Sequence, residues 1–279
     1  MEKIKLGFST CPNDTFIFDA LVHHRIDTQG LDFEVIMGDI EELNTLASLQ
    51  KLDITKISFN AYGQLSKDYI LCDSGSALGK NNGPLLIAKE NHTIDNLVDK
   101  IIAIPGKQTT ANLLLSIVFP QLKNKQSYLF SDIEQAILND KVTAGLIIHE
   151  TRFTYMRQGL TKIVDLGDRW EKTWQKPLPL GGICAKRSLP KEVLKTVNRL
   201  LHESVAFAFA NKEASLPFIK QYAQTMSEEV MYNHIDLYVN AFTQDLGKTG
   251  KDAIRFLYQK AGEYDLLPHI TEPLFVSEL

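Results

Sequence analysis

The chain has 279 residues, 44% of them hydrophobic and 23% charged, with a formal net charge of −4. Such a chain has a core to bury and room for one large α/β domain or two modest lobes, since single cores stop growing near ~250–300 residues. With no dense Lys/Arg block it lacks the footprint of a nucleic-acid binder, and its longest apolar runs, such as Leu113 to Phe119, fall far short of the ~20 residues that span a bilayer.

The opening Met1-Glu-Lys-Ile-Lys-Leu-Gly-Phe enters a strand pattern without an apolar export segment. Cys11, Cys72 and Cys184 are odd in number and widely spaced, which argues against a disulfide framework and against a CxxC metal site. A cytoplasmic protein is the expectation.

Apolar runs predict strands near Ile4 to Ser9, Asp32 to Ile36, Ile54 to Ser58, Leu85 to Ala88, Ile101 to Ile104, Ser127 to Phe130, Ala144 to Ile148 and Gly182 to Ala185. Helical periodicity between them implies a mainly parallel sheet. Asp39 with Glu42, and Ser131 with Glu134, have capping-box spacing at helix starts. Beyond about Pro190 only amphipathic helices are expected, near Lys191 to Ala210, Lys212 to Gln224, Glu228 to Phe242 and Gly250 to Tyr264. This layout suggests that the chain crosses to a second lobe and returns, near Ala88 to Leu97 and near Gly182 to Arg187. Residues 1–90 and 186–279 would then form a larger lobe, and residues 91–185 a smaller one.

In open parallel sheets, ligands bind beyond the carboxyl ends of the strands. After the first strand comes Ser9-Thr-Cys-Pro-Asn-Asp-Thr15, where Asn13 or Asp14 would cap a helix beginning near Phe16. The third strand delivers Lys56, Ile57 and Ser58, with Asn60 just beyond. After Ile104, Pro105-Gly-Lys-Gln-Thr-Thr110 opens a helix from Ala111 to Val118. Free N–H groups and the dipole at such a start favour an anion, and the hydroxyls of Thr109 and Thr110 add donors there. A small carboxylate suits the place. ATP does not, because the upstream glycine of a Walker loop is missing, and Gly75, Gly79 and Gly83 lack the GxGxxG spacing of a nicotinamide or flavin site.

The strand from Ala144 ends in His149, the side chain best suited to exchange protons near neutral pH. A lone histidine is often structural, and its residue type alone leaves both readings open. His23, His24, His202 and His234 have no acidic or Cys partner at ligand spacing, so no metal site emerges. Neither Ser9 nor Ser58 sits in a GxSxG elbow, so hydrolase chemistry has no support.

Taken together, Leu6-Gly-Phe-Ser-Thr-Cys-Pro-Asn-Asp-Thr-Phe-Ile-Phe18, Thr55-Lys-Ile-Ser58, Pro105-Gly-Lys-Gln-Thr-Thr110, Gly145-Leu-Ile-Ile-His-Glu150 with Arg152-Phe-Thr-Tyr155, Pro177-Leu-Pro-Leu-Gly-Gly182 and Tyr238-Val-Asn-Ala-Phe242 resemble the 1,4-dihydroxy-6-naphthoate synthases of the futalosine route to menaquinone. The resemblance runs almost end to end. It implies a two-lobed α/β fold of the type II periplasmic-binding-protein kind with a ligand cleft between the lobes. It also implies a carbon–carbon lyase acting on cyclic dehypoxanthinyl futalosine without a redox cofactor or metal. It carries the general base onto His149 and substrate contacts onto Lys56, Ile57, Ser58, Thr109 and Thr110. Ser9, Asn13, Asp14 and Asn60 are further polar candidates along the cleft wall. Two other readings share the fold: a non-catalytic carboxylate-binding protein, and a chorismate dehydratase of the same pathway.

Overall fold

The computed structural model describes residues 3–149, 151–223 and 226–279. Glu150 of the Gly145-to-Glu150 motif and Gln224, the expected end of one helix, lie outside the described residues. The chain begins β1 (Ile4–Phe8), α1 (Pro12–Val22), β2 (Phe33–Met37), α2 (Ile40–Ser48), β3 (Ile54–Ser58), α3 (Phe59–Leu65), β4 (Tyr69–Leu71) and β5 (Ala77–Gly79). It continues as β6 (Leu85–Ala88), β7 (Ile102–Ile104), α4 (Thr110–Val118), β8 (Lys125–Ser127), α5 (Ile133–Leu138), β9 (Ala144–Ile147), α6 (Thr151–Thr154), β10 (Thr161–Asp165) and α7 (Leu166–Trp174). The long strand β11 (Leu178–Lys186) returns it to the first sheet. Five helices follow: α8 (Lys191–Ala210), α9 (Leu216–Tyr222), α10 (Glu228–Tyr238), α11 (Ala241–Gln244) and α12 (Gly247–Glu263).

Two sheets result, a six-stranded one ordered β2-β1-β3-β11-β4 with β5 also on β11, and a five-stranded one ordered β10-β6-β9-β7-β8. Their strands are not mainly parallel throughout. β11 runs antiparallel to β3, β4 and β5, and β6 runs antiparallel to β9 and β10. These are the strands next to the crossings, and a chain that enters a sheet from the neighbouring lobe arrives against the direction of the βα units. Two strands also sit on the far side of the expected crossings. Leu85–Ala88 is hydrogen-bonded into the second sheet, and Leu178–Lys186 into the first. The polar Glu90-Asn-His-Thr93 stretch, inside the first expected crossing, is a mostly exposed loop that joins β6 to β7 of the same sheet.

The C-terminal helices clamp α1, which is buried from Pro12 to Leu21. The Ser204 hydroxyl of α8 donates to the Ile17 carbonyl at 2.6 Å and accepts the Leu21 N–H at 3.2 Å. Phe8, Phe16, Phe18, Leu201, Val205, Phe218 and Ile235 fill the space between that layer and the first sheet.

Local signals behave unevenly. Asp39 caps α2, accepting the N–H groups of Glu41 at 2.8 Å and Glu42 at 3.0 Å. The Ser131 box does not form, because a 3-10 turn over Phe130–Asp132 feeds α5 and the Ser131 hydroxyl goes to Asp132. The helix expected from Glu228 to Phe242 breaks after Tyr238, and Asn240 is extended and its side-chain Oδ1 caps α11 by accepting the Phe242 N–H at 2.9 Å.

Candidate active site

Helix α1 starts at Pro12 rather than near Phe16, and neither Asn13 nor Asp14 caps it. Proline at the first position has no N–H to satisfy and its φ is already helical, so the start needs no side-chain cap. Asp14 is thereby released to fold back on the strand end. Its carboxylate accepts the Ser9 hydroxyl at 2.7 Å, the Ser9 N–H at 3.2 Å and the Asn13 amide at 2.8 Å. Lys56 completes the cluster: its ammonium lies 3.4 Å from the Asp14 carboxylate, donates to the Gly75 carbonyl at 2.6 Å, and is buried. Lys56 is thus half of an interior ion pair.

Along β3 the side chains alternate. Lys56 and Ser58 line a cleft of about 680 Å³, while Ile57 points away into the core. Ser58 is held by Asn44, which donates to its hydroxyl at 3.1 Å and accepts its N–H at 3.0 Å. Asn60 does not line the cleft. It stitches the first lobe to the start of α4, donating to the Lys107 and Thr109 carbonyls at 3.1 Å each.

Gly106, at φ 143°, makes the turn before α4, and a Cβ there would sit 2.3 Å from the Glu41 carboxyl carbon. Thr109 is the N-cap, accepting the Asn112 N–H at 3.3 Å and donating to the Gly106 carbonyl at 2.8 Å. Thr110 donates to the Leu180 carbonyl at 2.5 Å and accepts the Asn60 N–H at 3.3 Å. Both residues line the cleft, but their hydroxyls give their protons to backbone carbonyls. What the helix start offers an anion is the N–H groups of Thr110 and Ala111, since that of Asn112 is taken by the Thr109 cap.

His149 follows β9 in the left-handed region, at φ 59°. This is an uncommon backbone for a non-glycine residue, and it aims the imidazole off the strand end. Its Nδ1 lies 3.6 Å from Cys11 Sγ, and its ring is edge-on to Phe130 at 5.0 Å. The ring also lies parallel, within 7°, to that of His234, 6.0 Å away. His234 is fully buried, and burial together with the charge of a protonated His149 holds its pKa well below the usual histidine value. Its Nε2 meets Asn13 Oδ1 at 2.9 Å. Because the Asn13 NH2 group must face the Asp14 carboxylate, Oδ1 accepts and Nε2 carries the proton, which fixes the tautomer of a neutral ring. A chain Lys56–Asp14–Asn13–His234 thus ends on the face of His149.

The cleft brings together Ser9, Asn13, Asp14, Lys56, Ser58, Thr109, Thr110 and His149, with Ile40, Asn82, Leu180 and Tyr238 among the other wall residues. Sequence reasoning missed His234 and Asn82. His234 has no partner at short spacing, since its contact is Asn13, and Asn82 sits in Asn81-Asn-Gly-Pro84, which reads only as a turn. Among the described residues no disulfide forms, and Cys11, Cys72 and Cys184 are all buried. Among the described residues no cluster of three or more His, Cys, Asp or Glu could hold a metal ion, and no helix is long and apolar enough to cross a membrane. The arrangement can hold an anion at α4 and exchange a proton at His149 nearby.

The two-lobed architecture recurs in solute-binding proteins. The alkanesulfonate-binding protein SsuA of Xanthomonas axonopodis pv. citri, bound to MOPS, superposes with a TM-score of 0.73 at 13% identity, covering 96% of this chain and 95% of that one. Protein AF1704 of Archaeoglobus fulgidus is nearer, with a TM-score of 0.89 at 34% identity over 95% of this chain and 98% of that one. Two curated relatives carry the name 1,4-dihydroxy-6-naphthoate synthase. That of Thermus thermophilus is 41% identical over 276 residues, 99% of this chain and 100% of the relative. That of Streptomyces coelicolor is 38% identical over 273 residues, 96% and 95%. Residues 4–263 match the family model described as menaquinone biosynthesis, and the chain belongs to that family.

Proposed function

We propose that this chain is a 1,4-dihydroxy-6-naphthoate synthase, a carbon–carbon lyase that cleaves cyclic dehypoxanthinyl futalosine, with His149 as general base. The observation that carries the reading is the setting of His149: a strained strand end presents its imidazole to the cleft, against the neutral ring of His234. A neutral neighbour adds no positive charge to oppose protonation of the base. The substrate carboxylate sits at the start of α4, where the first-turn N–H groups and the dipole favour negative charge. With the carboxylate held there, His149 takes a proton from the ring-forming carbon skeleton, and the carbon–carbon bond to the sugar-derived portion breaks. The proton taken by the base remains available for the departing fragment, and aromatisation of the new ring drives the step. Proton transfer and elimination of this kind call for neither redox cofactor nor metal.

The test is incubation of the pure protein with cyclic dehypoxanthinyl futalosine, with naphthoate followed by mass spectrometry and chorismate assayed in parallel. His149→Asn is expected to lower kcat ~100- to 10,000-fold, the usual contribution of a positioned base, with KM little changed. Turnover of chorismate in place of the cyclic futalosine would reverse the substrate, and an unchanged kcat in the variant would remove His149 from the chemistry.

A further inference from the structure

We infer that Asn82 determines specificity by holding hydroxyl groups of the sugar-derived portion of the substrate; this rests on the function proposed above. Asn82 lines the cleft and is 1% exposed, yet neither its Nδ2 nor its Oδ1 has a hydrogen-bond partner among the described residues. A buried amide is unfavourable unless bonded, and both ends of one side chain being left over in a cleft wall points to a partner that arrives from the cleft.

The loop that carries Asn82 is fixed on both sides. The Asn81 N–H donates to the Glu171 carboxylate at 2.7 Å, and the Gly83 carbonyl accepts from Arg152 at 2.6 Å. At Gly83 the backbone packs directly on Gly167, so closely that a Cβ would lie 2.2 Å from the Gly167 nitrogen. The amide is therefore held in place before any ligand binds, which limits the entropy lost on binding.

Sheet order says which part of the substrate it meets. In the second sheet β9 lies between β6 and β7. Leu85 of β6 pairs antiparallel with Ile147 of β9, and continuing that register sets Gly83 beside His149. β7 leads through Gly106 into the start of α4 on the opposite side. Along one edge of the sheet the order is Asn82, His149, α4, and two strand spacings set the outer pair roughly 10 Å apart. A substrate with its carboxylate at α4 and its reacting carbon at His149 extends its remaining portion toward Asn82. An amide gives two protons and takes others through its oxygen, which matches a group that also both gives and takes, a hydroxyl. A carboxylate would satisfy Nδ2 and repel Oδ1.

The experiment uses Asn82→Leu and Asn82→Ala in the full chain, with three readouts: steady-state kinetics on the cyclic futalosine, affinity for 1,4-dihydroxy-6-naphthoate, and thermal unfolding without ligand. Loss of one or two hydrogen bonds made only to the sugar-derived portion should raise KM about tenfold. Affinity for the naphthoate, which lacks that portion, should stay within about twofold of wild type. Asn82→Leu should unfold no lower than wild type, because it removes an unmatched buried amide. Wild-type kinetics in both variants, naphthoate affinity falling in parallel with KM, or a lowered unfolding temperature for Asn82→Leu would each overturn the assignment alone. Absence of naphthoate from the wild-type reaction would overturn the proposed function and this assignment with it.

Discussion

Changing Asp14 to Asn removes the negative half of the Lys56–Asp14 pair, in which the two side chains are 5% and 3% exposed. Lys56 would keep the Gly75 carbonyl, but a lone carbonyl does not neutralise a buried ammonium, and breaking such a pair costs about 3–5 kcal/mol. The reciprocal change, Lys56→Met, is milder. Its carboxylate partner keeps the Ser9 hydroxyl, the Ser9 N–H and the Asn13 amide, so the expected loss is about 1–3 kcal/mol. The double variant buries no charge at all, and should be destabilised by about 2 kcal/mol less than the sum of the singles. Urea unfolding of the four proteins, followed by fluorescence and circular dichroism, measures this cycle. Singles that add to within ~0.5 kcal/mol, or an Asp14→Asn cost below ~1 kcal/mol, would show that the pair is not coupled as its geometry implies.

His234 gives a pH prediction. Its folded pKa is depressed by burial and by His149, so below the ordinary value of 6.5 the unfolded chain takes up a proton that the folded one refuses. Stability is then full above pH ~6.5 and falls on acidification by at most ~1.4 kcal/mol per pH unit. His234→Gln should flatten that slope between pH 5 and 6.5, and an unchanged slope in urea unfolding would refute the cause. Thr110→Val strips the hydroxyl that joins Leu180 and Asn60 and should cost about 1–3 kcal/mol in stability, because two buried backbone groups lose their partner. A variant as stable as wild type, with only KM weakened, would return that hydroxyl to the anion.

What the sequence makes legible is what local chemistry determines. Pro105-Gly-Lys-Gln-Thr-Thr110 announces a turn and a helix start because Gly106 takes φ 143° and Thr109 caps within three residues of the N–H it accepts. His149 is visible because a buried apolar strand ends on it. The crossings are misread for the converse reason: β6 and β11 are ordinary apolar strands, and only their pairing partners, far away in sequence, decide which sheet they join. The Thr109 and Thr110 hydroxyls look like ligand donors until the Gly106 and Leu180 carbonyls are placed beside them. Asn13 and His234 illustrate the limit most sharply, since 221 positions separate them and neither sequence neighbourhood hints at the other.

The same pair bears on why a fold shared with solute-binding proteins can support catalysis. His149 belongs to the second sheet, at the end of β9, but two of its neighbours come from the first lobe and its helices: Cys11 at the head of α1 and His234 on α10. A cleft that only binds needs donors at fixed places, which the strand ends and α4 supply. A cleft that transfers protons must also control the charge around its base, and around His149, the base proposed above, the neighbours that would do so are assembled across the cleft. Helix α10 brings a buried neutral ring against the imidazole, and Asn13, oriented by Asp14 and in turn by Lys56, fixes which nitrogen of that ring carries the proton. The proposed base is therefore complete only where the two lobes meet, so packing α10 onto α1 would serve the proposed chemistry as well as the core.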